Sequence, residues 1–358
     1  MIAATSPASQ FDTAARTRPW QRAMAEAITD PHELCAALEL DPALVVPAHA
    51  AARSFRLRVP RGFLARMEKG NPRDPLLLQV LPVGAELAPM PGFDRDPVGD
   101  LDSVAARGLL HKYHGRALLV ATGACAIHCR YCFRRHYPYA EQSALHEGWS
   151  EAIEALRREA SIEELILSGG DPLSLSDRRL RALTGELLRV PHLRRLRIHT
   201  RLPVVLPERV DGELLAWLGD MPWQKVMVLH VNHAREIDDA VARACRDLAG
   251  AGVTLLNQSV LLAGVNDCAA TLQDLSEALF SIGVLPYYLH LLDRVAGAAH
   301  FDVSDERALA LHAALLNTLP GYLVPRLVRE IPGAASKTAV VGGPRAAATL
   351  PATLADPN

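Results

Sequence analysis

The chain has 358 residues, 49% of them hydrophobic and 22% charged, enough to bury a sizeable core and ordinary for a globular enzyme. A formal net charge of −2 argues against a nucleic-acid groove or an anionic membrane surface as its partner. No apolar run reaches membrane-spanning length and the polar first residues lack a signal-peptide core, so a cytoplasmic protein is expected.

In chain order, residues 1 to about 30 read as mobile at first and then helical, with Trp20, Met24, Ala27 and Ile28 at helix spacing. Asp30-Pro31 opens a second short helix through Leu34 and Leu38, with proline in the first turn. Proline-rich connections follow, then a loop rich in Pro, Gly and Asp up to Asp102. Residues 1–107 are therefore expected to form a mostly helical, loop-rich lobe. From residue 108 strands and helices alternate. Strands are expected to begin near Arg116, Glu164, Leu196, Lys225, Thr254 and Leu285, with helices over 150–160, 177–188, 237–248 and 272–280. After the first interval the starts recur every ~30 residues, the length of a βα unit. The strand-like runs are mostly apolar, as in parallel strands covered on both faces. The pattern predicts an α/β fold with a parallel barrel, or part of one, over 108–322 and a short C-terminal segment over 323–358.

Polar residues cluster where such strands should end: Cys125, Gly169-Gly170-Asp171, His199 with Arg201, His230 with Asn232, Asn257-Gln258-Ser259, and His290 with Asp293. Active sites of barrels gather at that face. One His or Asn there is often a satisfied core group; six strands contributing together point to a site.

The sharpest motif is Cys125-x-x-x-Cys129-x-x-Cys132, directly after the apolar run 117–122. Three thiolates on one short loop suit a [4Fe–4S] cluster with one iron left open for a non-protein ligand. The alternative is a zinc-stabilised binding module completed by His128 or His136, although zinc sites usually bring their cysteines in two separated pairs. Of the other cysteines, Cys245 lies on the apolar helical face of Ile237, Val241 and Leu248, and Cys35 and Cys268 fall in helix-like segments, so no disulfide framework is expected. Only four of the 38 basic residues are lysines: Lys69, Lys112, Lys225 and Lys337. Where arginine is so favoured, a lysine can mark a need for an amine able to lose its proton.

The cysteine motif resembles that of the radical S-adenosylmethionine (SAM) enzymes, which implies a partial (βα)6 barrel, with Gly169, Gly170 and Asp171 near the cofactor's methionine amine. More specifically, the chain resembles the lysine 2,3-aminomutases. The resemblance is carried by 110–116 (Leu-His-Lys-Tyr-His-Gly-Arg), 256–262, 264–267, 286–290 with Asp293, His300-Phe301 and Ser336-Lys337-Thr338. It implies three cofactors: the cluster on Cys125, Cys129 and Cys132, SAM, and pyridoxal phosphate (PLP) bound to Lys337. It further implies that Lys112 and Arg116 grip the PLP phosphate and that His230 and Gln258 contact SAM. Arg134 would hold the substrate carboxylate, a task suited to a bidentate donor, and Asp293 and Glu330 the remote ammonium of L-lysine.

Glu330 stands where the family has an aspartate, and Arg329 beside it could instead make it a surface ion pair. No cysteine follows Cys268, so the zinc site of the catabolic members is expected to be absent. The pattern is similar to that of the bacterial branch that makes (R)-β-lysine for elongation factor P, onto which a separate ligase attaches it. A catabolic lysine aminomutase is the alternative; a glutamate aminomutase would set its substrate against Asp293 and Glu330. Homo-oligomer formation is left open by the sequence.

Overall fold

The computed structural model describes residues 18–142 and 149–341; the expected mobile start and the last residues of the C-terminal segment lie outside them. One ten-stranded sheet runs in sequence order: β1 Val104–Ala106, β2 Leu109–Tyr113, β3 Arg116–Thr122, β4 Glu164–Gly169, β5 Arg195–Thr200, β6 Gln224–Leu229, β7 Val253–Val260, β8 Leu285–His290, β9 Arg326–Arg329 and β10 Thr338–Ala339. Strands β3 to β9 are parallel throughout, while β1–β2–β3 and β9–β10 pair antiparallel. The six expected strand starts are met to within one residue. Each of these strands is followed by a helix: Ser150–Arg158, Asp177–Leu187, Gly212–Gly219, Asp239–Gly250, Ala269–Ser281 and Asp305–Thr318. The sheet is thus the partial (βα)6 barrel, extended by β9 as a seventh parallel strand.

The helices form for local reasons and stay because one face is buried. In Asp239–Gly250 the Asp238 carboxylate caps the first turn, accepting from Val241 N at 2.9 Å, and Val241, Ala244, Cys245 and Leu248 make a buried stripe at helical spacing. Cys245 is a packing residue, as its position implied. The outward strand residues Leu165, Leu167, Leu196 and Ile198 join that core, each large aliphatic side chain contributing about 1.5–3 kcal/mol through burial.

Short helices, among them Pro19–Ala25, Pro31–Ala37 and Val45–Ser54, make the N-terminal lobe. Asp30 caps the second through His32 N at 2.9 Å. Trp20, Ile28, Leu34 and Phe63 of this lobe belong to the same apolar cluster as the barrel residues. Among the described residues, no helix is long and apolar enough to cross a membrane.

Candidate active site

The cysteine loop leaves the end of β3 and is clamped from the lobe side. His128 N donates to Arg58 O at 3.0 Å and Arg130 N to Gln79 O at 2.8 Å. The fully buried Arg130 guanidinium meets Glu86 through Nε (2.8 Å) and Nη2 (2.5 Å), and Arg135 Nη2 reaches the same carboxylate at 2.6 Å. Burial pushes the Cys125 thiol well up and that of Cys132 to about 11; nearby negative charge, including the other thiols, adds to the rise. Iron would displace those protons and relieve the repulsion, so the donor set fits a cluster. The two histidines that could complete a zinc site are engaged elsewhere. His128 Nδ1 donates to Arg56 O at 2.8 Å with its ring stacked on Phe55, and His136 Nε2 donates to Ala296 O at 3.0 Å.

Opposite this loop lies Gly169-Gly170-Asp171. The close approach that the two glycines permit is to the cysteine loop's own backbone. Gly169 has φ +119°, and a Cβ there would meet Thr122 O at 2.6 Å; one at Gly170 would collide with Ala124 O. Asp171 N donates to Ala124 O at 2.7 Å. The Asp171 carboxylate is consumed inside the chain by Thr200 Oγ1 (2.7 Å), Arg201 N (2.7 Å) and Leu173 N (3.1 Å), and burial raises it to about 6. It ties the ends of β4 and β5 together.

Below the loop, the barrel interior holds a cavity of about 380 Å³ whose lining includes Lys112, Arg116, Arg134, His230, Gln258, Asp293, Glu330 and Lys337. Residues at alternate strand positions point into it: Arg116 and Leu118 on β3, Ile166 and Ser168 on β4, Arg197 and His199 on β5, Tyr288 and His290 on β8. Lys337 lies between β9 and β10. Its Nζ donates to Glu330 Oε2 at 2.8 Å, and Tyr113 Oη donates to Glu330 Oε1. Burial works to raise the Glu330 carboxyl, but Lys337, Tyr113 and Lys112 outweigh it and hold the group below its usual range. Arg329 instead pairs with Asp305 at 2.5 Å, which removes the surface-pair reading of Glu330.

Asp293 is the opposite case. Its carboxylate has no ion pair or side-chain hydrogen bond among the described residues, and burial lifts it to about 7, with Glu330 and Asp100 adding to the rise against Lys337 and Lys112.

Several lining residues had no signal in the sequence reading. Asp100, 2% exposed, bridges Lys112 Nζ and Arg134 Nε, both at 2.7 Å, and Ser168 Oγ accepts from Arg134 Nη1 at 3.0 Å. Lys112 is thus turned toward Asp100 and, at 3.9 Å, Glu330. Arg116 lies over the Tyr113 ring at 4.7 Å; it and Arg326 have no carboxylate partner among the described residues, whereas Arg197 pairs with Glu164. Three arginines lining one cavity suit a phosphate. His290 has both ring nitrogens unpaired, and His199 Nε2 is unpaired as well. Buried polar atoms left this way mark a place where a polar ligand belongs. The cavity therefore fits PLP and an amino-acid substrate.

The model of the radical SAM superfamily matches residues 119–275, the stretch from β3 into the helix after β7. The L-lysine 2,3-aminomutase of Escherichia coli is 50% identical over 89% of this chain and 93% of its own length. That of Haemophilus influenzae is 48% identical over 89% and 94%, and that of Clostridium subterminale 35% over 81% and 70%. The chain belongs to this family, the lysine 2,3-aminomutases, and with it to the radical SAM isomerases that use a [4Fe–4S] cluster, SAM and PLP.

Proposed function

We propose that the protein converts (S)-α-lysine into (R)-β-lysine in the cytoplasm and that the product supplies the modification of elongation factor P by a separate ligase. One observation carries the substrate assignment: a single cavity is lined by Arg134 together with Asp293, Glu330 and Lys337. An amino acid with a carboxylate at one end and an ammonium at the other matches that distribution of charge. A glutamate side chain would face Asp293 and Glu330, which repel it.

In this reading Cys125, Cys129 and Cys132 hold the cluster, while Gly169, Gly170 and Asp171 form the wall beside SAM and His230 and Gln258 reach it from the cavity. Lys337 carries PLP, and Arg116 with Arg197 and Arg326 receives its phosphate; Lys112 contributes charge from the Asp100 side. When bound, the cluster and SAM supply a hydrogen-abstracting radical, and PLP supplies the ring to which the migrating amine is attached. The chain's own residues do the rest. Arg134 is held by Asp100 and Ser168, so its remaining N–H groups can meet the substrate carboxylate without reorganising. Asp293 takes the remote ammonium and, in doing so, passes from partly protonated to ionised. Glu330, 2.8 Å from Lys337 Nζ, would hold that amine in place as an ammonium whenever it is free. The lobe of residues 1–107 serves mainly to fix the cysteine loop on the barrel of 108–322, and residues 323–358 present the lysine.

The test is anaerobic turnover of reconstituted protein with L-lysine, SAM, PLP and a reductant, with products separated by chiral chromatography. (R)-β-Lysine is the expected product. Protein with full iron and bound PLP that leaves lysine unchanged would overturn the substrate assignment, and transfer of the product to elongation factor P by the ligase tests the destination.

A further inference from the structure

Directly beyond β5, Arg201 is 5% exposed and points its guanidinium at the cysteine loop. Its Nη1 donates to Cys129 Sγ at 2.7 Å, while Nη2 donates to Gln79 Oε1 at 2.6 Å and Glu236 Oε2 at 2.9 Å. The anchor behind it cannot swing away. Glu236 is fully buried, and its Oε1 accepts from Asn232 N (2.9 Å), His233 N (3.1 Å) and Gln79 Nε2 (3.1 Å). The backbone of Arg201 is pinned by Asp171, and its cation sits 5.4 Å from the Phe63 ring centroid and 5.8 Å from that of Tyr131. A charge placed this rigidly against one of three thiols is more than its pairing with Glu236 requires. A guanidinium meeting only Glu236 and Gln79 would need no contact with sulfur.

We infer that Arg201 is a positioning residue that acts through Cys129 on the cluster, raising its reduction potential. In the redox step the cluster gains one electron from an external low-potential one-electron donor and gains one unit of negative charge, with no proton transferred. A positive hydrogen-bond donor on a ligand sulfur stabilises that reduced form more than the oxidised one, and hydrogen bonds to sulfur and local charge are known levers on cluster potential. Glu236 offsets part of the charge, but it lies behind the guanidinium, farther from the sulfur, so the donor's effect prevails. The contact also singles out one of the three ligands, so the iron on Cys129 should be the one most favoured to carry the added electron. This inference rests on Cys129 being a cluster ligand.

The experiment is an anaerobic dithionite titration of reconstituted protein, followed by electron paramagnetic resonance of the reduced cluster without substrate. Arg201→Met would strand the buried Glu236, so the charge-neutral pair Arg201→Met with Glu236→Gln is compared with wild type and with Arg201→Lys. The double variant should retain four irons per chain and show a midpoint moved to more negative potential, with Arg201→Lys falling between the two. An unmoved midpoint at full iron content would overturn the inference, as would loss of iron with the surviving clusters titrating as in wild type, because that is what a purely structural role predicts. A Cys129→Ala variant that binds as much iron as wild type would instead overturn the ligand reading beneath it.

Discussion

Beneath the cysteine loop, Arg130, Arg135 and Arg201 are buried against Glu86 and Glu236, and nearly all of their terminal N–H groups meet an acceptor within the chain. In the cavity a few residues away, Asp293, Arg116 and both nitrogens of His290 have no such partner. Both regions are charged and both are largely withdrawn from water. The first spends its polar groups on holding a loop in place, and the second keeps them free for molecules that are not protein. Unpaired buried charge is costly, so charged groups that line a cavity without a partner point to ligands, whereas ion pairs closed within the chain, as Arg130 with Glu86 and Arg201 with Glu236, point to scaffolding.

Substitutions should separate the two regions, beginning with the largest losses. Cys129→Ala is expected to remove cluster iron and bring turnover to background while circular dichroism still reports a folded barrel; turnover at the wild-type rate would exclude the radical route. Lys337→Ala should abolish the visible absorbance of lysine-bound PLP together with turnover, and an unchanged spectrum would move the PLP site elsewhere. On the scaffold side, Glu86→Gln breaks a buried pair and should cost about 3–5 kcal/mol in urea unfolding. Two arginines outweigh burial and hold Glu86 below the usual carboxylate range. Its contribution is therefore complete above the unfolded value of about 4.3 and is lost as pH falls through the folded one.

Asp293→Asn should lower kcat/KM for lysine by on the order of 10²–10³-fold and leave iron and PLP content near wild type. Because Asp293 titrates at about 7 and must be ionised to hold an ammonium, kcat/KM in the wild type should decline below that pH, by about tenfold per unit at the limit. The Asn variant should lack this limb of the profile. The smallest effect belongs to neither region: Arg157→Gln, in an exposed pair with Glu154 at 3.2 Å, should change stability by no more than about 0.5 kcal/mol.

Much of the frame could be read from the chain. Apolar runs beginning at Arg116, Glu164 and Leu285 mark strands that begin there, because parallel strands covered on both faces keep a mostly apolar composition. Strand β9 escaped, since its four residues Arg326-Leu327-Val328-Arg329 are half arginine and gain their place from pairing with Tyr288, Leu289 and His290. The cysteines, Lys337 and Asp293 stood out by motif and by resemblance. Asp100, Arg197 and Arg326 did not, because nothing local distinguishes a lining charge from a solvated one; Arg201 stood with His199 in the strand-end cluster, but its partners were not legible. Arg201 reaches Gln79 from 122 positions away, and only the folded sheet makes them neighbours.

Lys337 also carries a consequence for the order of synthesis. Thr338 and Ala339 find their register only on Arg329 and Val328, and β9 finds its own only on β8. A chain emerging from the ribosome completes the cysteine loop more than two hundred residues before the lysine is translated, roughly ten seconds or more at usual elongation rates. On the proposed assignments, the three cluster ligands are therefore present in the growing chain long before the lysine that would carry PLP, which waits for the finished hairpin.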